Sequence, residues 1–397
     1  MSDDLDFTDP AFHADPYPYY DRLRAIEPIH WNRDFWVSTR YADVTALLRD
    51  PRIGQPPDHT RDELQLLLEQ GKLSPLDVVR SHWMLSRNPP DHTRLRGLVS
   101  KAFTPAVVES LRPRIQTIVD ELLDTVELRG TFDIIEGLAY PLPVMVISEL
   151  LGVPYSDREI FKQLARDFTG SIDIAPPAEA MTRAMAATDT LIDYFKKQIA
   201  SHQLEPKNDL LSALLAAHEQ GEKLREYELI GNCILLFLAG HETTMNLIGN
   251  GMLALLRNPD QLVKLRGDPS RIVDAVEELL RYDSPVQSSG RYILEDVVYG
   301  GKLLRRGQSI VFMFGAANRD PAQFSNPDRL DISRSDNRHH AFGYGIHYCL
   351  GAPLARVEGQ IAISTLVRRM PSLTLHEDGV VWRKSHQIRG LKTLPVS

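Results

Sequence analysis

Residues 342–356 read Phe342-Gly343-Tyr344-Gly345-Ile346-His347-Tyr348-Cys349-Leu350-Gly351-Ala352-Pro353-Leu354-Ala355-Arg356. Three glycines surround one cysteine, and Pro353 suits the first turn of a helix that begins just after it. Glycine permits positive φ and close approach of backbone to a bulky group. A helix N-terminus favours a nearby anion, here a thiolate. The chemistry is that of a lone cysteine held as thiolate under a flat ligand. A dinucleotide fingerprint is excluded, because its third glycine is missing and no βαβ unit surrounds it. A zinc site is excluded too, since Cys349 and His347 alone are too few ligands. Taken singly, a lone cysteine is most often just a small buried side chain.

Ala239-Gly240-His241-Glu242-Thr243-Thr244 is a second chemical segment, set in the most apolar stretch of the chain. An acid beside two hydroxyls is expensive to bury there unless it has partners, water or a task. His241-Glu242-x-x-Met245 misses the zinc motif by its last residue. A polar kink stabilised by threonine back-bonding is the plainer alternative. Glu278 and Arg281 stand at i, i+3 on one helix face, as many solvated pairs do. His92 and Arg96, in Pro89-Pro90-Asp91-His92-Thr93-Arg94-Leu95-Arg96, are i, i+4 neighbours. Two cations there suit two carboxylates of a ligand, or else form a basic surface.

Helices must position these groups. The apolar positions Ile115, Ile118, Val119, Leu122, Leu123 and Val126 form one helical face between Pro113 and Gly130. Leu142–Leu151 is a further helix, closed by Gly152. The stretch Tyr227–Asn258 predicts one helix of about 30 residues, roughly 45 Å long, with Gly240–Thr244 at its centre. Ile272–Tyr282 carries Glu278 and Arg281, and Pro353–Met370 follows the cysteine. A small hairpin is expected early, Ile29–Trp31 and Phe35–Ser38 about Asn32-Arg33-Asp34, then a helix over Tyr41–Arg49. Short strands are expected over Leu303–Val311 and Leu373–Pro395. The fold class is mostly α with small β-sheets and no βαβ alternation.

The 397 residues are 43% apolar and 25% charged, with 45 basic against 53 acidic side chains. A net charge of −8 argues against a general nucleic-acid binder. Two cysteines cannot build a disulfide scaffold. The start, Met1-Ser2-Asp3-Asp4-Leu5-Asp6, lacks the basic and apolar parts of a secretory signal. His241, Glu242, Thr243, Thr244 and Asn246 interrupt the longest apolar run, which argues against a membrane span. The expectation is a cytoplasmic protein without an anchor. Cys233, two helical turns before Gly240, is expected in the core.

The motif Phe-Gly-x-Gly-x-His-x-Cys-x-Gly-x-x-Leu-Ala-Arg resembles the haem-binding loop of the cytochrome P450 family in its soluble bacterial form. The resemblance covers nearly the whole chain, from the hairpin near Trp31 to Arg389-Gly390-Leu391. It implies one domain over residues 1–397, a triangular prism with the long helix over haem b (iron protoporphyrin IX). It implies that Cys349 is the axial thiolate ligand of the iron, which favours O–O cleavage, with Phe342 and Gly351 beside the cofactor. His92, Arg96, Arg291 and His347 would clamp the haem propionates, although Asn88 stands where Asp is usual. Glu242 and Thr243 match the acid–alcohol pair that passes protons toward dioxygen, and Gly240 with Thr243 would open the helix locally. Glu278 and Arg281 would form a buried structural pair, completed by Arg329 or Arg334.

The implied activity is monooxygenation: one oxygen atom of dioxygen enters a C–H bond, or a double bond is epoxidised. The two electrons would come from a separate ferredoxin and its reductase, reaching a monomer. Two basic islands, residues 81–103 and 338–369, each sum to +3 and could steer an acidic donor. Substrate contacts are expected from residues 52–82 and 165–183, from Leu235 and Ala239, and from Val286 and Ser289. Pro176-Pro177 marks an expected lid hinge. The substrate is expected to be a small apolar organic molecule such as a terpenoid, steroid, fatty acid or polyketide. Two alternatives are a peroxide-driven peroxygenase and a non-enzymatic haem sensor or carrier. Neither would need the acid–alcohol pair.

Overall fold

The computed structural model describes residues 9–397 apart from 28, 57–65, 68–69, 128–129, 170, 172–175 and 218–222. Its elements are mostly helices, as the apolar periodicity predicts. The strands are short: β1 Ile29–Asn32, β2 Phe35–Ser38, β3 Ile53–Gly54, β4 Phe132–Asp133, β5 Ser288–Ile293 and β6 Val297–Tyr299. They continue with β7 Lys302–Leu304, β8 Ser309–Met313, β9 Val381–Trp382, β10 Leu391–Thr393 and β11 Pro395–Val396. Close Cα neighbours divide the chain into two compact units.

The first unit comprises Met1–Gly54, Leu111–Leu142 and Thr243–Ser397. Its main sheet has the order β1-β2-β8-β5-β3, and only β2 and β8 run parallel. The early hairpin turns at Arg33-Asp34, with Arg33 in the left-handed region at φ 55°. Trp31 and Trp36 face each other across it at 4.9 Å between centroids, edge to face. Helix Arg112–Glu127 buries Ile115, Ile118, Val119, Leu123 and Val126, and it packs on the helix Ala352–Arg369. Helix Ile272–Tyr282 packs on that same helix.

The second unit comprises Gln55–Ser110 and Pro143–Glu242. Its helices include Pro75–Ser81, Asp91–Ala102, Arg158–Thr169, Ala178–Leu204 and Leu210–Ala216. Asp209 caps Leu210–Ala216 through Ser212 N at 2.8 Å and also meets His202 Nε2 at 2.8 Å. Pro177 precedes the first residue of Ala178–Leu204 and so starts a helix. Residues 172–175 before it lie outside the described residues, and so does part of the 52–82 segment.

One helix, Glu226–Arg257, contributes to both units. It is α-helical without a break through Gly240–Thr244, so the expected local opening is absent. Helices open where proline, water or a side chain enters the hydrogen-bond ladder, and Gly240 has no side chain to insert. Cys233 is fully buried in this helix, and burial pushes its thiol pKa up.

Candidate active site

The cysteine loop is a folded-back turn in the first unit. Cys349 N donates to Phe342 O at 2.9 Å, Gly343 N to His340 O at 2.8 Å, and Tyr348 N to Gly345 O at 3.1 Å. Gly345 has φ +72°, and a Cβ there would lie 2.7 Å from Leu48 O, so only glycine fits. His347 ends the short turn Gly345–His347, two residues before Cys349. Gly351 caps helix Ala352–Arg369, and a Cβ on it would stand 3.9 Å from Cys349 Sγ. The half-buried, unbridged thiol therefore sits at a helix N-terminus, where the helix field favours its anion.

Partners that the sequence did not single out hold this loop, one of them through Arg356 of the motif itself. Arg356 donates to both Glu277 oxygens, at 2.7 and 2.8 Å, and lies over the Phe342 ring at 4.5 Å. Burial alone would raise the Glu277 pKa, but Arg356 and His339 override it and hold the carboxyl at about 2. His340 stacks on Tyr41 at 4.3 Å and meets Thr45 Oγ1 at 2.9 Å, while its backbone N–H donates to Asn318 Oδ1 at 2.6 Å. Burial, with His339 beside it, brings His340 down to about 4, so the ring is neutral at pH 7. Glu277, His339, Asn318 and Thr45 are far from Cys349 in sequence, and no motif joins them.

Glu278 and Arg281 are both fully buried, with Arg281 Nε and Nη2 at 2.7 and 2.9 Å from the carboxylate. Arg334 is the third member, its Nε 3.0 Å from Glu278 Oε2. Arg329 contributes only its carbonyl, which accepts from Arg281 at 3.4 Å.

Arg291 on β5 is the most telling cation. It is buried, and among the described residues its guanidinium donates only to Ser289 Oγ at 2.8 Å and Gly290 O at 2.6 Å. No carboxylate among the described residues bonds to it, and burial lowers its pKa to about 10. A buried guanidinium served only by neutral acceptors suits an anionic ligand group. That is the fit expected for a propionate. Val286 pairs with Ile388 in an isolated bridge just before this strand, and Ser289 is engaged by Arg291.

In the second unit, His92 is buried and Arg96 half-buried on helix Asp91–Ala102. Arg94 between them is bound to Glu228 at 2.5 Å. Asn88 accepts from Gln55 N at 2.9 Å and donates to Gln55 O at 3.0 Å. An ionised Asp could not make the second bond, which accounts for the departure at this position.

The basic islands shrink once partners are counted. Arg94 is paired with Glu228, Arg356 with Glu277 and Arg338 with Asp336. Arg369 meets Asp120, Asp124 and Glu127 at 3.3, 2.6 and 2.6 Å. Local charge sums miss these acids because they lie elsewhere in the chain.

The central helix shows one further feature. From Glu228 to Leu255 every residue is buried except Ala239, Gly240 and Thr243. Positions i, i+1 and i+4 share one side of a helix. Solvent thus reaches a single stripe, beside the buried Glu242.

The family model for "Cytochrome P450" matches residues 76–393. Cytochrome P450 107B1 of Saccharopolyspora erythraea is 45% identical over 99% of this chain and 97% of its own length. The polyketide biosynthesis cytochrome P450 PksS of Bacillus subtilis is 43% identical over 97% of this chain and 96% of its own. Among solved structures, P450BioI in complex with an acyl carrier protein ligated to hexadec-9Z-enoic acid matches with TM-score 0.90. It is 42% identical, and 98% of each chain is covered. The family match and these relatives thus define the class of protein, a haem-dependent oxidoreductase. The chain belongs to the cytochrome P450 family, a monooxygenase family whose cofactor is haem b. No described helix is long and apolar enough to cross a membrane.

Proposed function

We propose that this enzyme hydroxylates or epoxidises a small apolar organic substrate, using dioxygen and two electrons from a ferredoxin and its reductase. The observation that carries the reading is the partly exposed stripe Ala239-Gly240-Thr243 on a helix otherwise buried from Glu228 to Leu255. When bound, haem b supplies the activation of dioxygen for transfer of one oxygen atom to the substrate. Cys349 would hold the iron as a thiolate, favoured by the helix behind it, with its loop kept in place by the Arg356–Glu277 clamp. Arg291, His347, His92 and Arg96 take the propionates, and Phe342 and Gly351 pack beside the ring.

Glu242, which is buried, and Thr243, which is half-buried, would move protons toward dioxygen. Leu235, Ala239, Val286 and Ser289 line the substrate. The relatives' association with polyketide biosynthesis and with a carrier-bound acyl chain supports an apolar, acyl-derived substrate. The 397 residues act as one domain, a monomer in the cytoplasm.

The test is the absorption spectrum of the reduced protein with carbon monoxide. The expected result is a Soret band at the long wavelength characteristic of thiolate ligation. A band typical of histidine or neutral-thiol ligation in folded protein would overturn the role of Cys349.

A further inference from the structure

The second unit holds polar groups that the reading above leaves unused. Helix Pro75–Ser81 begins with a reciprocal cap: Asp77 N donates to Ser74 Oγ at 3.2 Å, and Ser74 N donates to Asp77 Oδ2 at 3.0 Å. The cap occupies Asp77 and presents Arg80 near the end of the helix. Arg80 Nη2 donates to Ser171 O at 3.2 Å and Ser171 Oγ at 2.8 Å, and the guanidinium lies 5.4 Å over the Phe168 ring. Among the described residues these oxygens are its only side-chain hydrogen-bond partners, and neither belongs to a carboxylate. Burial lowers the pKa of this guanidinium, with Asp77 opposing.

Trp83 packs against the same Phe168 ring, 5.9 Å between centroids. Its Nε1 is buried and has no hydrogen-bond partner among the described residues. The adjoining Cδ1 would lie 3.6 Å from a Cβ at Gly231. Asn232 fixes this contact by bonding Met84 N at 3.2 Å and His82 O at 3.1 Å. Gly231, Leu235 and Ala239 follow at i, i+4 and i+8, one face of the central helix. Gly231 and Leu235 are buried and Ala239 is exposed, about 12 Å farther along at 1.5 Å per residue.

Among the described residues two donors without an anion thus pack on the one Phe168 ring, and Trp83 stands at the Gly231 end of a helix face whose far end is the exposed Ala239. We infer that the enzyme selects apolar substrates bearing a terminal carboxylate, which Arg80 receives through its free guanidinium edge with the Trp83 indole N–H as second donor. A planar guanidinium and a carboxylate match as a two-point pair, and a site built for such a group discriminates against molecules that lack it. This assignment rests on the monooxygenase reading for its purpose.

The experiment uses the full haem-loaded chain, titrated with tetradecanoic acid and with methyl tetradecanoate. Binding is read by the substrate-induced shift of the haem absorption and, independently, by calorimetry. The acid should bind at least about tenfold tighter than the ester, Arg80→Gln should erase that preference, and Trp83→Phe should weaken the acid by about threefold. Haem content and the carbon monoxide band check that each variant is folded. If Arg80→Gln does not fold, Arg80→Lys takes its place and should lower the preference by about half on a logarithmic scale. Equal affinity for acid and ester, a preference that survives Arg80→Gln, or no binding of the acid would each overturn the inference. Loss of the thiolate carbon monoxide band in the parent protein would instead overturn the monooxygenase reading, while the calorimetric preference would stand or fall separately.

Discussion

Glu278 and Arg80 are both charged groups held within helical packing, yet their surroundings differ in kind. Glu278 accepts from Arg281, from Arg334, from Asn337 at 3.2 Å and from Asp331 N at 2.9 Å. Its charge is answered by two guanidinium groups inside the protein. Among the described residues Arg80 has no carboxylate hydrogen-bond partner, and the Trp83 indole donor is unused. Burying an unanswered charge or donor costs free energy. Where the protein itself supplies the answer, as around Glu278, the group belongs to the scaffold. Where it does not, as at Arg80 and at Arg291, the group is open to a role in binding. In the proposed site Arg291 would take a propionate, and under the inference above Arg80 would take a substrate carboxylate.

The comparison breaks first at Glu278. Glu278→Ala leaves Arg281 and Arg334 uncompensated, a loss of roughly 3–5 kcal/mol for a buried pair. Haem per polypeptide should fall severely, and a normal haem content would show that the network is not scaffold. The Glu277 clamp is next. Its carboxyl sits at about 2, below the ordinary 4.5, so its stabilisation is complete above pH 4.5 and is lost as pH falls toward 2. A shift of that size corresponds to on the order of 3 kcal/mol. Glu277→Gln should therefore be less stable than the parent above pH 4.5, with the two converging in acid denaturation below it.

Thr243→Ala touches chemistry rather than scaffold. Haem content should hold, while product formed per electron pair falls by roughly tenfold and peroxide accumulates. Unchanged coupling would refute proton delivery through Thr243. The smallest effect concerns the donor. With Arg94, Arg356, Arg338 and Arg369 already paired to acids, raising salt from 0.05 to 0.5 M should slow electron transfer from ferredoxin by less than about threefold. A much steeper dependence would show that these ion pairs open to meet the partner.

Much of the fold was legible in the sequence because it is written in local periodicity. The hairpin about Arg33, the helix bearing Ile115 and Val126, and the helix Ile272–Tyr282 all fall where apolar spacing and breakers put them. The long helix Glu226–Arg257 begins and ends within one residue of its expected span. The cysteine motif was legible for the same reason: glycines, cysteine and helix start are contiguous, so their geometry is set by neighbours in the chain. Gly240 misled, since a glycine permits an opening without causing one.

What the sequence could not decide was pairing across distance. Whether Arg329 or Arg334 completes the Glu278 network depends on how a long loop folds back, and the answer is a side chain from Arg334 and a carbonyl from Arg329. The basic islands looked free because Glu228, Glu277 and the acids of helix Arg112–Glu127 are remote in sequence. The sequence by itself determined the element types, the glycine-rich turn around Cys349 and the adjacency of Glu242 and Thr243 on one helix, because these rest on spacing within a helix or a turn. Only the tertiary structure decided which charges are neutralised within the protein and which are not, because electrostatic partners are chosen by proximity in space and by burial.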